Sequence, residues 1–165
     1  MRQALALQPA SLILDLAAGR GRHAVPLTAA GRRVIAVDIA EHAVAAARRA
    51  ASGALEGVVA DVAALPFRKG AADAVLCVNF LDRSLFPHLQ RLLRPGGRLV
   101  IETYSTQQLT LERGPRNAAF LLQPGELPML VAPMRVLESR EGLVRDAAGE
   151  RYVASVLAVN AAPGE

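Results

Sequence analysis

Three aspartates stand along the first part of the chain, Asp15, Asp38 and Asp61, with Gly19 and Gly21 directly after the first. Carboxylates at strand tips accept hydrogen bonds from hydroxyl pairs and ammonium groups. Glycine has no Cβ, so a turn through Gly19 and Gly21 can take positive φ and bring bare amides against a ligand. The Gly-x-Gly-x-x-Ala spacing, from Gly19 to Ala24, suits a turn that holds a nucleoside-type cofactor. Asp38 is then placed to accept from a ribose diol.

Such a site needs strand, turn, helix and strand in that order, and residues 12–38 supply them. Leu12, Ile13, Leu14 and Leu16 are an apolar strand around Asp15, 17–21 the turn, and 23–30 a helix stopped by Gly31. Val34, Ile35, Ala36 and Val37 form a second strand ending on Asp38. The unit has the length of a right-handed parallel crossover.

The rest of the chain extends the pattern. Residues 41–51 form an alanine-rich helix with Glu41 in the first turn and Arg48 and Arg49 in the last, as the helix dipole prefers. A strand over 57–60 runs into Asp61-Val62, a fourth spans 72–78, and a helix over 85–93 presents Leu85, Leu89, Leu92 and Leu93 on one face. Pro95-Gly96-Gly97 stops that helix, and a fifth strand begins at Arg98. Residues 105–123 have no clean period and are long for a connection, which marks a functional loop. A short helix over 125–131 precedes two strands, 134–141 and 152–160, joined by Asp146-Ala147-Ala148-Gly149 as a hairpin. Strict alternation followed by a hairpin predicts an α/β fold: a Rossmann-like, mostly parallel sheet with helices on both faces and an antiparallel last strand.

Bulk composition narrows the classes. With 165 residues, 52% of them hydrophobic, the chain reads as one domain over 1–165 with a short N-terminal segment 1–10. Its net charge of +4 comes from scattered arginines, with Lys69 as the only lysine. There is no basic block with interleaved aromatics, so no nucleic-acid partner is expected. Cys77 is the single cysteine and reads as a buried small hydrophobe, which leaves no disulfide framework and no metal site. No apolar run approaches the length of a membrane span, and a cytoplasmic location is the default.

These landmarks together resemble the class I S-adenosylmethionine-dependent methyltransferases over residues 12–160. The resemblance is carried by Asp15-x-Ala17-x-Gly19-x-Gly21, by Asp38, by Asp61-Val62, by Asn79 after the fourth strand, and by Leu93-Arg94-Pro95-Gly96-Gly97. Within the class the chain is similar to the small bacterial tellurite-resistance methyltransferases, through Asn79-Phe80-Leu81-Asp82-Arg83, Pro124-Gly125-Glu126-Leu127 and the closing hairpin. It departs from them where they tend to carry a hairpin histidine, since Val144 and Arg145 stand here.

The resemblance implies seven strands, S-adenosylmethionine as cofactor with S-adenosylhomocysteine as product, and a small-molecule acceptor. It places Asp15 near the methionyl amine or the turn amides, Asp38 at the ribose, and Asp61 with Val62 at the adenine edge. Arg20, Arg22 or His23 reaches the methionine carboxylate, while Ala17, Ile39, Asn79 and Phe80 complete the cofactor set. Asn79, Asp82 and Tyr104 face the acceptor, and Arg83, Arg116 and Arg145 favour an anionic one. Residues 105–123 are expected to form a mobile wall over it. Asn79-Phe80-Leu81-Asp82 lacks the Asn-Pro-Pro-aromatic element of enzymes that methylate bases.

Two other classes fit parts of the pattern. The glycine turn and Asp38 also serve NAD in oxidoreductases, but Asp15, Asp61-Val62 and the hairpin weigh against that, as does the lack of a Tyr-x-x-x-Lys pair. A cofactor-binding protein without catalysis is the other, and only an acceptor assay separates it from an enzyme.

Overall fold

The computed structural model describes residues 11–146 and 149–161; the expected segment 1–10 and residues 147–148 of the hairpin turn lie outside them. The elements run β1 (Leu12–Leu16), α1 (Ala24–Ala29), β2 (Arg33–Asp38), α2 (Glu41–Ala50), β3 (Glu56–Val59), β4 (Ala72–Val78), α3 (Phe86–Leu92), β5 (Leu93–Tyr104), α4 (Glu126–Leu130), β6 (Arg135–Asp146) and β7 (Gly149–Val159).

One seven-stranded sheet has the order β3-β2-β1-β4-β5-β7-β6. The first five pair in parallel, and β7 runs antiparallel between β5 and β6. Strand order reverses between β1 and β4, and open α/β sheets bind ligands at such a crevice, beyond the carboxyl ends of the strands.

Period-two alternation divides the core. Leu14 and Leu16 of β1 pack with Leu85, Leu89, Leu92 and Leu127 on one face. Ile13 packs on the other with Ala24 of α1, Ala47 of α2 and Leu76. Strands β1 and β4, buried on both faces, therefore read as nearly continuous apolar runs.

Three boundaries differ from the sequence reading. β5 starts at Leu93 rather than Arg98: Leu93 pairs with Ala72, the register shifts, and pairing resumes at Ala74 with Arg98. Pro95-Gly96-Gly97 is thus an irregularity within the strand, held by the Gly96 amide on the Asn160 carbonyl at 2.7 Å and the Asn160 amide on the Gly97 carbonyl at 2.9 Å. β6 runs on to Asp146 and β7 begins at Gly149, because every position from Glu138 to Asp146 on this solvent-facing edge finds a ladder partner without needing an apolar side chain. Residues 105–123 hold 3₁₀ turns at Thr106–Thr110 and Ala118–Phe120.

Candidate functional site

Five loops, one after each parallel strand, and the start of β7 lie at the carboxyl edge. The loop after β1 is shaped by positive φ at Ala17 (52°), Gly19 (55°) and Gly21 (80°). Its hydrogen bonds run from the Ala18 amide to the Val37 carbonyl and from the Gly21 amide to the Ala18 carbonyl, both at 3.0 Å. A Cβ added at Gly19 would meet no protein atom within 4 Å, so that position opens onto free space. At Gly21 it would lie 2.8 Å from Ala47 Cβ and 2.9 Å from Val25 Cγ2. The backbone at Gly19 is therefore open on its Cβ side, whereas Gly21, read from sequence as another ligand glycine, lets α1 close on α2.

Asp15 is 2% exposed, and its Oδ2 finds no hydrogen-bond partner among the described residues. Burial pushes its carboxyl up to about 7, against the pull of the Ala24 amide and the Arg22 guanidinium and with a further push from Asp38. At the tip of β2, Asp38 accepts from the Gly19 amide at 2.7 Å and the Ala40 amide at 2.9 Å. Each oxygen keeps a second lone pair for a diol. Ile39 beside it is 69% exposed and Val59 is 51% exposed, two apolar side chains left open on the β2 and β3 side of the crevice. Asp61 caps the turn after β3 by accepting from the Ala63 amide at 2.9 Å, and the Val62 side chain joins the core.

Asn79 follows β4 with φ of 59°, so Ala17 and Asn79 put non-glycine left-handed residues at the ends of neighbouring strands. Strain of this kind, of order 1–3 kcal/mol per residue, gathers at ligand sites. The Asn79 amide donates to the Glu102 carbonyl at 2.7 Å, while its side-chain Oδ1 is buried without a partner. Phe80 packs, half-buried, against the core. His23 Nε2 is also buried without a partner among the described residues, and burial, Arg22 and Arg151 hold that imidazole below its usual pKa. Arg20 and Arg22 extend into solvent.

The acceptor side is organised differently from the sequence reading. Asp82 accepts from the Ser84 amide at 2.9 Å and the Ser84 hydroxyl at 2.7 Å, which holds its carboxyl below the ordinary range. That direction disfavours a general base at neutral pH, so its observed work is to cap the Arg83–Leu85 turn. Tyr104 is half-buried at the end of β5, with its carbonyl accepting the Leu122 amide at 2.9 Å. The three arginines read as acceptor anchors all face the chain's own oxygens. Arg83 grips Glu126, Arg116 donates to the Leu109 and Leu111 carbonyls, and Arg145 pairs with Glu150.

Three further residues belong to this edge and were missed. Arg151, 16% exposed at its side chain, sits 3.9 Å from Glu102 and 2.6 Å from Asp146, and its buried Nε lacks a partner. Its signal in the sequence is parity: it lies two residues before buried Val153 on the strand that antiparallel pairing brings to the end of β5. Ser105 has a buried hydroxyl without a partner. Gln108, 1% exposed, accepts from the Tyr152 amide at 2.8 Å and donates to the Arg113 carbonyl at 2.6 Å.

A switch-point crevice flanked by a glycine turn, a ribose-ready carboxylate and an antiparallel closing strand defines the Rossmann-like methyltransferase fold. Residues 13–97 match the family described as "Methyltransferase domain", and the chain belongs to that family. A demethylmenaquinone methyltransferase from Clavibacter sepedonicus is 40% identical over 108 residues, which cover 61% of this chain and 44% of that protein. The chain spans about half the length of the curated relatives it matches. A SAM-dependent methyltransferase from Methanosarcina mazei superposes with a TM-score of 0.79 at 20% identity, covering 94% of each chain. Geranyl diphosphate C-methyltransferase from Streptomyces coelicolor A3(2), solved with Mg2+, geranyl diphosphate and S-adenosyl-L-homocysteine, gives 0.73 at 19%, covering 96% of this chain and 77% of that one.

Proposed function

We propose that this protein is an S-adenosylmethionine-dependent methyltransferase acting on a small-molecule acceptor. The observation that carries the proposal is a set of buried polar atoms around the crevice that find no partner among the described residues: Asp15 Oδ2, His23 Nε2 and Asn79 Oδ1. Buried polar groups are paired in the great majority of cases, so three around one open crevice are accounted for by a polar ligand. An amino acid joined to a nucleoside suits them. Asp15 takes the ammonium, Asp38 the ribose diol, and Ile39 with Val59 the flat base, whose edge lies toward Asp61 and Val62. His23, held neutral by burial and its cationic neighbours, offers a hydrogen bond to the carboxylate, with Arg20 and Arg22 nearby in sequence.

The sulfonium supplies an activated methyl group. What the protein adds is orientation, which contributes roughly 7–11 kcal/mol where the reacting atoms are held in line. Asn79 and Tyr104, at the ends of neighbouring strands β4 and β5, flank the place where the acceptor meets the methyl. With Asp82 committed to its turn, the site favours acceptors that arrive nucleophilic, such as an enolate-like ring carbon, a thiolate or a chalcogen oxyanion. The demethylmenaquinone methyltransferase relatives support the first, and the likeness to tellurite-resistance enzymes supports the last. A cytoplasmic location belongs to this proposal, supported by one buried cysteine in place of a disulfide framework.

Calorimetry with S-adenosylmethionine, S-adenosylhomocysteine and NADH tests the cofactor, and a labelled-methyl assay against a quinone, a thiol and tellurite tests the acceptor class. Binding of NADH with silence from both sulfur nucleosides would overturn the proposal. Binding of the sulfur nucleosides with no transfer to any acceptor would favour a cofactor-binding protein without catalysis.

A further inference from the structure

Arg83 spends four guanidinium hydrogen bonds on a segment far away in sequence. Its Nε and Nη2 fork onto Glu126 Oε1 and Oε2 at 2.6 and 2.9 Å. Nη2 also reaches the Leu121 carbonyl, and Nη1 the Ala119 carbonyl, both at 3.0 Å. Glu126 Oε2 accepts in addition from the Gln123 amide at 2.8 Å. The fork holds the Glu126 carboxyl below its ordinary range. A guanidinium presents five N–H groups in a rigid plane, and four are in use here, a geometry no ammonium reproduces.

The two ends of this clamp have different surroundings. On one side, Arg83 sits four residues after Asn79. The stretch between is stiff, with Leu81 at 6% and Leu85 at 2% exposure anchoring it and Asp82 capping the turn. On the other side lies the returning limb of the excursion after β5, which rejoins the sheet through the Thr106 amide to the Leu122 carbonyl and the Leu122 amide to the Tyr104 carbonyl, both at 2.9 Å. Residues 116–120 of this limb are exposed, Phe120 reaching 55%, while Leu121 and Leu122 are buried. Ala118–Phe120 is a single 3₁₀ turn capped only by Asn117.

We propose that Arg83 is a positioning residue that couples the cofactor loop after β4 to the wall beside the acceptor, through its fork on Glu126 and its two carbonyl bonds. This rests on the proposed function, since it takes Asn79 to be a cofactor contact. Ligand at Asn79 adds stability to the already stiff residues 79–85, the guanidinium carries that stability to 117–123, and the acceptor side is held most firmly over a loaded site. The coupling is one of local stability, and segments of this kind open at lower free energy than the core.

The experiment is hydrogen exchange on the whole chain, with S-adenosylhomocysteine as probe and calorimetry alongside. In the wild type, bound S-adenosylhomocysteine slows exchange at 117–123. In Arg83→Met the apo exchange of these amides rises by roughly tenfold or more, the probe binds within about twofold of wild type, and the slowing at 117–123 is lost while that at 17–21 remains. Arg83→Lys fails to restore it, because one ammonium cannot replace the fork and the carbonyl bonds together. Should Arg83→Met not fold, Glu126→Gln retains the side-chain shape and must show the same loss in weaker form. Ligand-dependent slowing at 117–123 that persists in both variants overturns the coupling, as does its absence from a wild type that binds the probe. A wild type that does not bind the probe overturns the cofactor reading, and the apo exchange of Arg83→Met still decides whether the clamp holds the wall.

Discussion

Asp38 Oδ2 accepts the Gly19 amide at 2.7 Å, so the tip of β2 sets the conformation of the turn that follows β1. One carboxylate therefore serves two ends. It fixes the backbone of that turn, and in the proposed function its remaining lone pairs take the ribose. Truncation removes both at once. Asp38→Ala should weaken S-adenosylhomocysteine binding by roughly ten- to a hundredfold, the value of a charge-assisted hydrogen bond of about 1.5–3 kcal/mol. Titration calorimetry checks it, and an unchanged dissociation constant would move the ribose elsewhere.

Gly19 and Gly21 should separate in mutation. Gly21→Ala drives a Cβ to 2.8 Å from Ala47 Cβ, and overpacking of that kind costs roughly 1–3 kcal/mol. Its thermal midpoint should fall well below that of Gly19→Ala, which meets open space and bears only the cost of φ at 55°, about 1–2 kcal/mol. Cofactor affinity should run the other way per unit of stability lost, with Gly19→Ala the more damaging. Equal effects of the two on both readouts would mean that the turn has a single role.

That division was invisible in the sequence, where both glycines occupy one motif and the contact with Ala47 arises only when α1 meets α2. What was legible followed from local periodicity: the apolar runs of β1, β2 and β4, the dipole-matched ends of α2, and the acids closing successive strands. Long-range polar choices were not. Arg83, Arg116 and Arg145 are indistinguishable from ligand arginines until the carboxylate or carbonyls that occupy them are seen. Arg151 and Gln108 do not stand out in the sequence: the hairpin announces an antiparallel last strand, but not that its first residues meet the end of β5 and residue 108. β6 was read short for a related reason: an edge strand facing water carries charges instead of an apolar period.

Asp15 predicts a pH signature. Its carboxyl moves from an ordinary 3.8 to about 7 on folding, mainly through burial. Between those values the folded chain holds a proton that the unfolded chain has released, so stability falls as pH rises through the window and levels off above about 7. Asp15→Asn should remove that slope and raise the apo thermal midpoint at pH 8 relative to wild type. A cofactor ammonium favours the ionised carboxyl, so wild-type affinity for S-adenosylhomocysteine should climb as pH approaches 7 and binding should release a proton in that range. Calorimetry in buffers of different ionisation enthalpy measures the proton directly. Affinity independent of pH between 5 and 8 would place the ammonium away from Asp15.

The excursion after β5 was read as a mobile wall along its whole length, and the geometry divides it. Gln108 is buried, with its carbonyl oxygen accepting the Tyr152 amide of β7 and its amide nitrogen donating to the Arg113 carbonyl, so the outgoing limb is pinned to the sheet. Arg116 binds the Leu109 and Leu111 carbonyls and closes the tip on itself. Gln108→Leu keeps the volume but leaves the half-buried Tyr152 amide without its partner, at a cost of about 1–3 kcal/mol. Exchange at Leu111 and Tyr152 should then accelerate together, although the two lie on different elements, while amides in β1 and β4 keep their protection. Methyl transfer should fall with acceptor KM affected more than kcat, because the donor side of the crevice is untouched. If Leu111 and Tyr152 respond independently, Gln108 is a buried amide of local consequence only, and the outgoing limb owes its position to something else.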